Sequence, residues 1–503
     1  MTALATSNTV AVVGTGTMGQ GIAQVALVAG HRVRLYDTAA GRAGQAAEAI
    51  GGRLDRLVEK GRISADERDA ARERLSPATA LAELADAALV IEAILEQLPA
   101  KQELFTALED IVATDCLLAT NTSSLSVTAV AGRLRHPGRC LGMHFFNPAP
   151  LLPLVEVVSG FATDESAATA AYETAVAWGK QPVRCTDTPG FVVNRIARPF
   201  YAEALRAYEE RVADPATIDA VLRDGAGFKM GPFELTDLIG QDVNEAVTHS
   251  VWQAFFQDPK FTPSLAQRRL VEAGLHGRKA GRGWFDYSEG ARRHGPRTAE
   301  PCPAPGSVGL HAKLPGPAVV LRELIEEAGI KVTRDRTPGE SEGFLRLPGG
   351  ACLGLTNGYP ATSDVHGKYI RFDLSLDYRA ATRIALAASE AVSEADLAEA
   401  VGLFQAMGKQ VSVIEDVPGM IVARTVAMII DFAVDAAARG VASPQDIDTA
   451  MRLGVNYPGG PLEWAERLGA PWVWDLLDSM HHQNAGGRYA PSWALRRRAD
   501  LEK

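Results

Sequence analysis

Several features that define other protein classes are scarce in this chain of 503 residues. Its five cysteines include no CxxC pair, which argues against a zinc site or a disulfide framework and favours a reducing cytoplasm. The formal charge is −10 and no basic block precedes the three arginines at 496–498, so neither nucleic acid nor an anionic membrane is expected as a partner. The N-terminal segment has no basic region, and glycines interrupt the apolar run that follows it. We therefore expect a cytoplasmic protein with no signal peptide or membrane span, and no metal.

The N-terminal residues predict a βαβ unit. A short apolar run at 10–13 leads into a glycine-rich turn, a helix-like segment follows at 20–29, and a second strand at 31–36 ends at an aspartate. Strand, glycine-rich turn, helix and acidic residue in this order are typical of a Rossmann dinucleotide-binding domain.

Each glycine of this turn has a distinct predicted role. Gly14 permits the tight turn, Gly16 lets the backbone approach a pyrophosphate, and Gly19 allows close packing of helix on strand. Asp37 is expected to bind the ribose hydroxyls and to repel a 2′-phosphate, which favours NAD over NADP. Two arginines nearby would soften that preference, namely Arg34 and Arg42.

One histidine and one carboxylate lie in two strand-like runs that a proline-rich turn separates. His144 belongs to the run GMHFFNP, and Glu156 to LVEV. A neutral imidazole held by a carboxylate is a general base that works near neutral pH. The alternative is a hydrogen-bonded core histidine with a charge at a sheet edge.

Two further polar residues are candidates for the same site. Residues 87–93 and 117–119 predict buried strands, and the carboxyl ends of such strands hold the ligand in an open α/β sheet. Ser123 therefore lies near the ligand, or else caps the helix that follows, with Ser124 able to take the capping role. Asn194 falls within a predicted helix, where asparagine is mildly unfavourable, so a side chain facing the cleft explains it better.

The order of these features resembles one family, the L-3-hydroxyacyl-CoA dehydrogenases. Its pattern of GxGxMG, VIEAxxE, TNTSSL, GxHFFNP, LVEV and PGFVxNR is matched segment by segment from about residue 10 to about residue 287. The resemblance implies an NAD-binding Rossmann domain followed by an all-α domain, and an acyl-CoA thioester as substrate. It also implies oxidation of a (3S)-3-hydroxyacyl-CoA to the 3-oxoacyl-CoA.

The resemblance further implies the roles of individual residues. His144 becomes the base, Glu156 its orienting partner, and Ser123 and Asn194 the groups that bind the reacting end of the substrate. The residues that it implies for the NAD site are Gly14, Gly16, Gly19, Asp37, Glu96, Lys101, Ser123, Asn147 and Lys279.

The second half contains an internal repeat. Gly179-Lys180-Gln181 recurs as Gly408-Lys409-Gln410, and Gly231-Pro232 as Gly460-Pro461, each 229 residues later. The predicted domains are therefore a Rossmann domain at 1–187, a helical domain at 188–287, a proline-rich linker at 288–315, a reduced Rossmann-like domain at 316–415 that binds no nucleotide, and a second helical copy at 416–503.

The same offset predicts that the copy has lost its chemistry. Asp373, Ala385 and Ala423 replace His144, Glu156 and Asn194 if the register extends that far. A single active site per chain, within the first 290 residues or so, is the expectation. The two helical copies are expected to pair within the chain; alternatively both persist and larger homo-oligomers form.

The long architecture resembles bacterial enzymes of phenylacetate catabolism that act on 3-hydroxyadipyl-CoA, more than the short 3-hydroxybutyryl-CoA enzymes. The alternatives are a 3-hydroxybutyryl-CoA dehydrogenase, a dehydrogenase of a β-hydroxy acid without CoA, and, ranked last, a non-catalytic NAD-binding protein. Lys60 and Arg62 are candidates for a CoA phosphate site that would separate these, although they are equally compatible with a solvated helix end.

Overall fold

A computed structural model describes residues 2–292, 294–335, 343–365 and 367–502. The chain forms two compact units, one from the residues up to Arg195 with Arg439–Val455, the other from Ile196–Ala438 with the residues from Asn456 onward. Within the described ranges, no helix has the length and apolar character that crossing a membrane requires.

The N-terminal domain alternates strands with helices. Its elements are β1 (Thr9–Val13), α1 (Thr17–Val28), β2 (Arg32–Tyr36), α2 (Arg42–Glu59), α3 (Ala65–Glu73), β3 (Leu75–Pro77), β4 (Ala87–Glu92), α4 (Leu98–Glu109), β5 (Leu117–Thr120), α5 (Val127–Ala131), β6 (Cys140–Phe145), β7 (Leu154–Ser159), α6 (Glu165–Ala177) and β8 (Gln181–Thr186).

These strands form one sheet in the order β3-β2-β1-β4-β5-β6-β7-β8, which confirms the predicted Rossmann architecture. All neighbouring pairs are parallel except β6 with β7. The central strands are buried on both faces, as their continuous apolar runs require. In the antiparallel pair, His144 lies directly opposite Glu156. The sheet therefore brings together two residues that are twelve positions apart.

Helices follow the sheet: α7 (Val193–Ile196), α8 (Arg198–Glu209), α9 (Pro215–Ala220), α10 (Pro232–Ile239), α11 (Gln241–Ala254) and α12 (Leu265–Glu272). The sequence predicts one helix from Phe191 to about Glu210, whereas the structure interrupts it at Ala197. Pro199 at the start of α8 explains the interruption, because a proline inside a continuous helix removes a backbone donor and clashes with the preceding turn.

A second, smaller sheet belongs to the reduced Rossmann-like domain. Its elements, with the helical copy that follows, are β9 (Ser307–His311), α13 (Leu321–Glu327), β10 (Lys331–Arg334), β11 (Phe344–Arg346), β12 (Cys352–Leu355), β13 (Tyr369–Phe372), β14 (Arg383–Ala388), α14 (Glu394–Ala406), β15 (Gln410–Val413), α15 (Val422–Ala438), α16 (Pro444–Gly454), α17 (Pro461–Leu468), α18 (Ala470–Gln483) and α19 (Trp493–Leu501).

The described strands of this sheet follow the order β10-β9-β11-β12-β13-β14-β15. β9 pairs with β10 and β11, so residues 307–311 are part of the sheet, although the sequence places them in the linker. The prolines that suggested a long linker lie before Gly306 or after Lys313 and leave an apolar run between them free to pair.

The 229-residue offset extends well beyond the helical domain. β7 and β14, α6 and α14, α10 and α17, and α11 and α18 begin and end at residues separated by this same interval. Phe191 and Met420, also 229 residues apart, share a left-handed backbone with φ of 49° and 51°. β13 also begins 229 residues after β6, so the register assumed for the copy holds back to the strand that carries His144.

The two helical copies contact each other within the second unit, where α8 packs against α15. Glu203 of α8 is fully buried and receives hydrogen bonds from Arg488, at 2.9 and 2.7 Å, and from the Tyr489 hydroxyl, at 2.9 Å. Lys260 pairs with Asp431 at 2.6 Å. Each of these pairs joins the first helical copy to the second.

Candidate active site

The turn after β1 is built for close approach of a ligand. Gly14 has φ +94°, and a Cβ there would lie 2.4 Å from the carbonyl oxygen of Ala93. A Cβ at Gly19 would lie 1.8 Å from the carbonyl oxygen of Gly14, so helix and strand meet with no room for a side chain. Gly16, in contrast, faces open space, with nothing within 4 Å of a Cβ at this position.

The N-terminus of α1 has the character of an anion site. Its N-cap residue, Gly16, provides no side-chain hydrogen bond, and its first turn carries no acidic residue. The free N–H groups and the positive end of the helix dipole are therefore directed at the open space beside Gly16. These features fit the pyrophosphate of NAD.

Asp37 lies where β2 ends and faces the same turn. The Thr15 backbone N–H and hydroxyl donate to its carboxylate at 2.9 and 2.7 Å, and the Ala39 N–H donates at 3.0 Å. Partial burial opposes ionisation, but these hydrogen bonds outweigh it and hold the pKa of Asp37 below its usual value. Arg34 is committed to a bidentate ion pair with Asp86 at 2.8 and 3.0 Å. A 2′-phosphate would therefore meet a carboxylate that Arg34 does not neutralise.

A polar cluster occupies the carboxyl ends of β4 and β5. Lys101 is 1% exposed and lies between Glu92, at 2.5 Å, and Glu96, at 3.2 Å. Glu92 also accepts a hydrogen bond from the Thr120 hydroxyl at 2.7 Å. Lys101 thus holds Glu96 in place, whereas the family resemblance implies only that both line the NAD site. Sequence reasoning missed Glu92, although a carboxylate in the apolar run AALVIEA was a usable signal.

Glu96 organises the loop that carries Ser123. It accepts hydrogen bonds from the Thr122 hydroxyl at 2.5 Å, from the backbone of Ser123 and Ser124 at 3.1 Å, and from the Ser124 hydroxyl at 2.9 Å. Partial burial raises the pKa of Glu96, but the Lys101 charge and these donors outweigh it, so the pKa is lowered overall. Glu96 is therefore an anionic group that holds this loop in place through its hydrogen bonds.

The capping alternative for Ser123 and Ser124 is wrong. The N-cap of α5 is Ser126, whose hydroxyl accepts from the Ala129 N–H at 3.1 Å. Ser124 is bound to Glu96 instead, and Ser123 is partly exposed just before the helix, with no hydrogen bond to its hydroxyl among the described residues. The Ser123 hydroxyl is thus available to a ligand.

His144 and Glu156 form a buried hydrogen-bonded pair. The His144 Nδ1 lies 2.6 Å from Glu156 Oε2, and the two side chains are 7% and 0% exposed. The other oxygen, Oε1, accepts from the backbone N–H groups of Val192 and Val193 at 3.0 and 2.9 Å. Because these donors favour the carboxylate, the imidazole N–H is placed on Nδ1 and Nε2 remains an acceptor.

Aromatic rings enclose the imidazole on two sides. Phe146 and Phe191 lie with ring centroids 4.5 and 5.8 Å from that of His144.

Three asparagines lie near this pair in the sequence or the sheet. Asn194 follows directly after the turn that binds Glu156 and is partly buried. Asn147 is exposed at the end of the strand that carries His144. Asn121, which sequence reasoning did not single out, accepts from the Phe145 N–H at 2.8 Å and so secures the end of that strand.

Lys279 belongs to the second compact unit. Its ammonium is paired with Asp242 at 2.6 Å and lies close to Gly240, where a Cβ would be 2.8 Å from Nζ. Its contact with the cofactor stays a prediction.

The repeat replaces the His144 and Glu156 pair with a different arrangement. Asp373 N donates to Ala385 O at 3.0 Å, so these two residues face each other as His144 and Glu156 do. The Asp373 carboxylate accepts from the backbone of Ile421, Val422 and Ala423 at 2.8 to 3.0 Å. One aspartate thus binds the helix N-terminus, as Glu156 does in the first copy, and no imidazole accompanies it.

Comparison with known proteins identifies similar domains along the chain. Residues 9–188 match the 3-hydroxyacyl-CoA dehydrogenase NAD-binding domain, and residues 190–287 and 419–503 both match the C-terminal domain of that family. Residues 353–418 match the 3-hydroxybutyryl-CoA dehydrogenase reduced Rossmann-fold domain.

Two relatives show the long and the short arrangement. A 3-hydroxyadipyl-CoA dehydrogenase of Escherichia coli is 45% identical over 98% of both chains. A 3-hydroxybutyryl-CoA dehydrogenase of Mycobacterium tuberculosis is 40% identical, over 55% of this chain and 98% of its own length. Among solved structures, one described as 3-hydroxybutyryl-CoA dehydrogenase from Escherichia coli has 44% identity and a TM-score of 0.89, with 99% of each chain covered.

Proposed function

Because the chain belongs to the 3-hydroxyacyl-CoA dehydrogenase family and is an NAD-dependent enzyme of that activity, we propose that it oxidises 3-hydroxyadipyl-CoA, with His144 as the general base. The observation that carries the base assignment is the buried pair of His144 and Glu156 at 2.6 Å. NAD, when bound, supplies the acceptor for the hydride.

The proposed roles follow from the hydrogen bonds of the pair. Nδ1 is committed to Glu156, so Nε2 takes the proton of the 3-hydroxyl group in oxidation and returns it in reduction. Glu156 stabilises the imidazolium that forms in oxidation. Ser123 and Asn194 are proposed to donate to the oxygen on C3 or to the thioester carbonyl, which holds the reacting carbon in place.

The proposed acyl group rests on the architecture. The relative named for 3-hydroxyadipyl-CoA matches this chain over nearly its full length, whereas the relative named for 3-hydroxybutyryl-CoA from Mycobacterium tuberculosis matches 55% of it. A 3-hydroxybutyryl-CoA substrate is the second candidate, because the full-length structural match carries that name.

A direct assay separates these candidates. Loss of NADH is followed with acetoacetyl-CoA, 3-oxoadipyl-CoA and the free 3-oxo acids, and kcat/KM is compared between them. We expect 3-oxoadipyl-CoA to give the highest value. A higher value with acetoacetyl-CoA would favour the second candidate, and turnover confined to the free acids would contradict a thioester substrate.

The basic residues that follow α2 provide a test of CoA recognition. Lys60 and Arg62 are exposed, and neither forms an ion pair within the described part of the chain. If they bind a CoA phosphate, exchanging both for glutamate raises KM for a thioester, with little change in kcat. The matched control exchanges Arg32, an exposed residue of β2, for glutamate and leaves this KM unchanged.

A further inference from the structure

One helix of the second copy lies in the first compact unit. Residues Arg439–Val455, which contain α16, cluster with the N-terminal domain. The Thr186 N–H at the end of β8 donates to the Val441 carbonyl at 2.9 Å, and Val441 is buried. A segment that carries no predicted chemistry is therefore attached to the sheet that holds His144 and Glu156.

This segment covers the face of β7 from which Glu156 projects. Side chains alternate along a strand, so Leu154 and Glu156 share one face and Val155 and Val157 the other. Val155 and Val157 belong to the core with α1 and α6. Gly454, the last residue of α16, approaches Leu154 so closely that a Cβ would lie 2.8 Å from its Cδ2. α16 is thus on the Glu156 face.

Gly454 also contacts the turn that fixes Glu156. A Cβ at this position would lie 3.0 Å from Val193 Cγ2 and 3.5 Å from Cγ1. The Val193 N–H is one of the two backbone groups that hold Glu156 Oε1, at 2.9 Å. Gly454 does not have a positive φ, so the glycine meets a need for space rather than for an unusual backbone.

We infer that α16 of the second helical copy is a positioning element of the active site, acting through Gly454, Val193 and Glu156 on His144. The inference rests on the proposed roles of His144 and Glu156. The physical reason is that a shift of the Val193 turn moves two hydrogen-bond donors of a buried carboxylate, and that carboxylate sets the position and tautomer of the ring. The degenerate half therefore contributes to catalysis without contacting the substrate.

The duplication supplies a matched control. Gly225 lies 229 residues before Gly454, also lacks a positive φ, and makes the same kind of approach to the second sheet. A Cβ at Gly225 would lie 3.2 Å from the carbonyl oxygen of Arg383, the counterpart of Leu154. The same substitution can thus be made at equivalent positions, one against the strand that carries Glu156 and one against the strand that carries Ala385.

The experiment compares Gly454→Ala and Gly225→Ala in the full-length enzyme. We expect Gly454→Ala to lower kcat by about tenfold to a hundredfold, as displacement of a catalytic group does. NADH affinity is expected to stay within about twofold of wild type, because the contact is remote from the glycine-rich turn. Gly225→Ala is expected to leave kcat, KM and NADH affinity at the wild-type level. Equal kcat for Gly454→Ala, Gly454→Val and wild type would overturn the inference.

A spectroscopic measurement tests the same inference without turnover. The proton on His144 Nδ1, in a short hydrogen bond to Glu156, is expected to give a low-field NMR resonance that His144→Gln removes. We expect this resonance to move or broaden in Gly454→Ala and to stay in place in Gly225→Ala; an unchanged resonance in Gly454→Ala would also overturn the inference. If His144→Gln keeps full turnover, the proposed base is wrong, whereas the resonance still reports whether α16 acts on the pair.

A second substitution that removes the contact between residue 454 and Val193 is expected to restore activity. Val193→Ala removes the two methyl groups that the new Cβ would meet, so adding it to Gly454→Ala is expected to restore kcat at least in part. If Gly454→Ala does not fold, Gly454→Ala with Leu154→Ala takes its place, because it opens the closest contact and keeps the one with Val193. Loss of kcat in every variant, with no recovery on Val193→Ala, would indicate general destabilisation and contradict a positioning role.

Discussion

Glu156 performs two tasks with its two oxygens. One oxygen binds the imidazole of His144, and the other binds the backbone of Val192 and Val193. A carboxylate can do both because it only accepts hydrogen bonds. The residue therefore couples the tautomer of His144, the proposed base, to the position of the turn that precedes Asn194.

Substituting Glu156 by glutamine separates these tasks. The amide oxygen can still accept from Val192 and Val193, which leaves only the amide NH2 to face His144. The imidazole must then accept through Nδ1 and carry its proton on Nε2, the nitrogen that has to act as base. We expect kcat to fall by about a hundredfold or more, with a thermal midpoint close to that of wild type. A variant with wild-type kcat would contradict the assignment of the tautomer.

Removal of the proposed base is expected to have a different effect. His144→Gln is expected to reduce kcat by a factor on the order of a hundred to ten thousand, because no acceptor for the hydroxyl proton remains. NADH binding, measured by fluorescence titration, should persist, since the glycine-rich turn and Asp37 are unaltered. Loss of NADH binding would instead assign His144 a structural role.

Much of this site can be predicted from the sequence. The rest cannot, because it depends on contacts between distant parts of the chain. The His144 and Glu156 pair follows from strand alternation and a short turn, which are local properties. Glu92, Lys101 and Ser124 have their observed roles only because the ends of β4 and β5 meet, and local patterns do not encode which hydroxyl reaches which carboxylate. The sequence alone therefore does not decide which serine of this loop caps the helix and which is bound to Glu96.

At the scale of elements, repetition conserves backbone positions better than side-chain chemistry. β14 and α14 keep the lengths of β7 and α6, while Asp373 replaces the histidine. The structure departs from the sequence prediction at two places that contain prolines. The prolines on either side of β9 led to the prediction of a linker where the structure has a strand. Pro199 interrupts a helix that hydrophobic periodicity alone predicts to be continuous.

Asp373 makes the stability of the reduced domain depend on pH. Burial raises its pKa to about 6, against the lowering effect of its backbone donors, whereas an unfolded aspartate titrates near 3.9. Between about pH 4 and pH 6 the unfolded chain loses this proton first, so the contribution of Asp373 to stability falls as the pH rises. Asp373→Asn cannot ionise, so the gap between its thermal midpoint and that of wild type should be wider at about pH 4.5 than at about pH 7.5. A gap that widens with pH would contradict this assignment.

At the scale of the whole chain, the second half has two structural roles that its lost chemistry does not reveal. α15 packs against α8, Arg488 from the segment between α18 and α19 pairs with Glu203 of α8, and α16 covers the face of β7 from which Glu156 projects. Both contacts give the second copy a structural role. They also bear on assembly, since a helical face already covered by its own duplicate has less apolar area to offer another chain.

Truncation after Tyr287 tests both roles together. The shortened chain loses α15 and α16, so Glu203 is left without Arg488 and the apolar face of α8 is uncovered. We expect the fragment to aggregate or to form a dimer that covers this face, as measured by size-exclusion chromatography with light scattering. Any soluble fragment should have a lower kcat than the full chain, unless a second fragment supplies the helix equivalent to α16. A soluble monomer with the full kcat would contradict pairing of the helical copies and the positioning role of α16 at once.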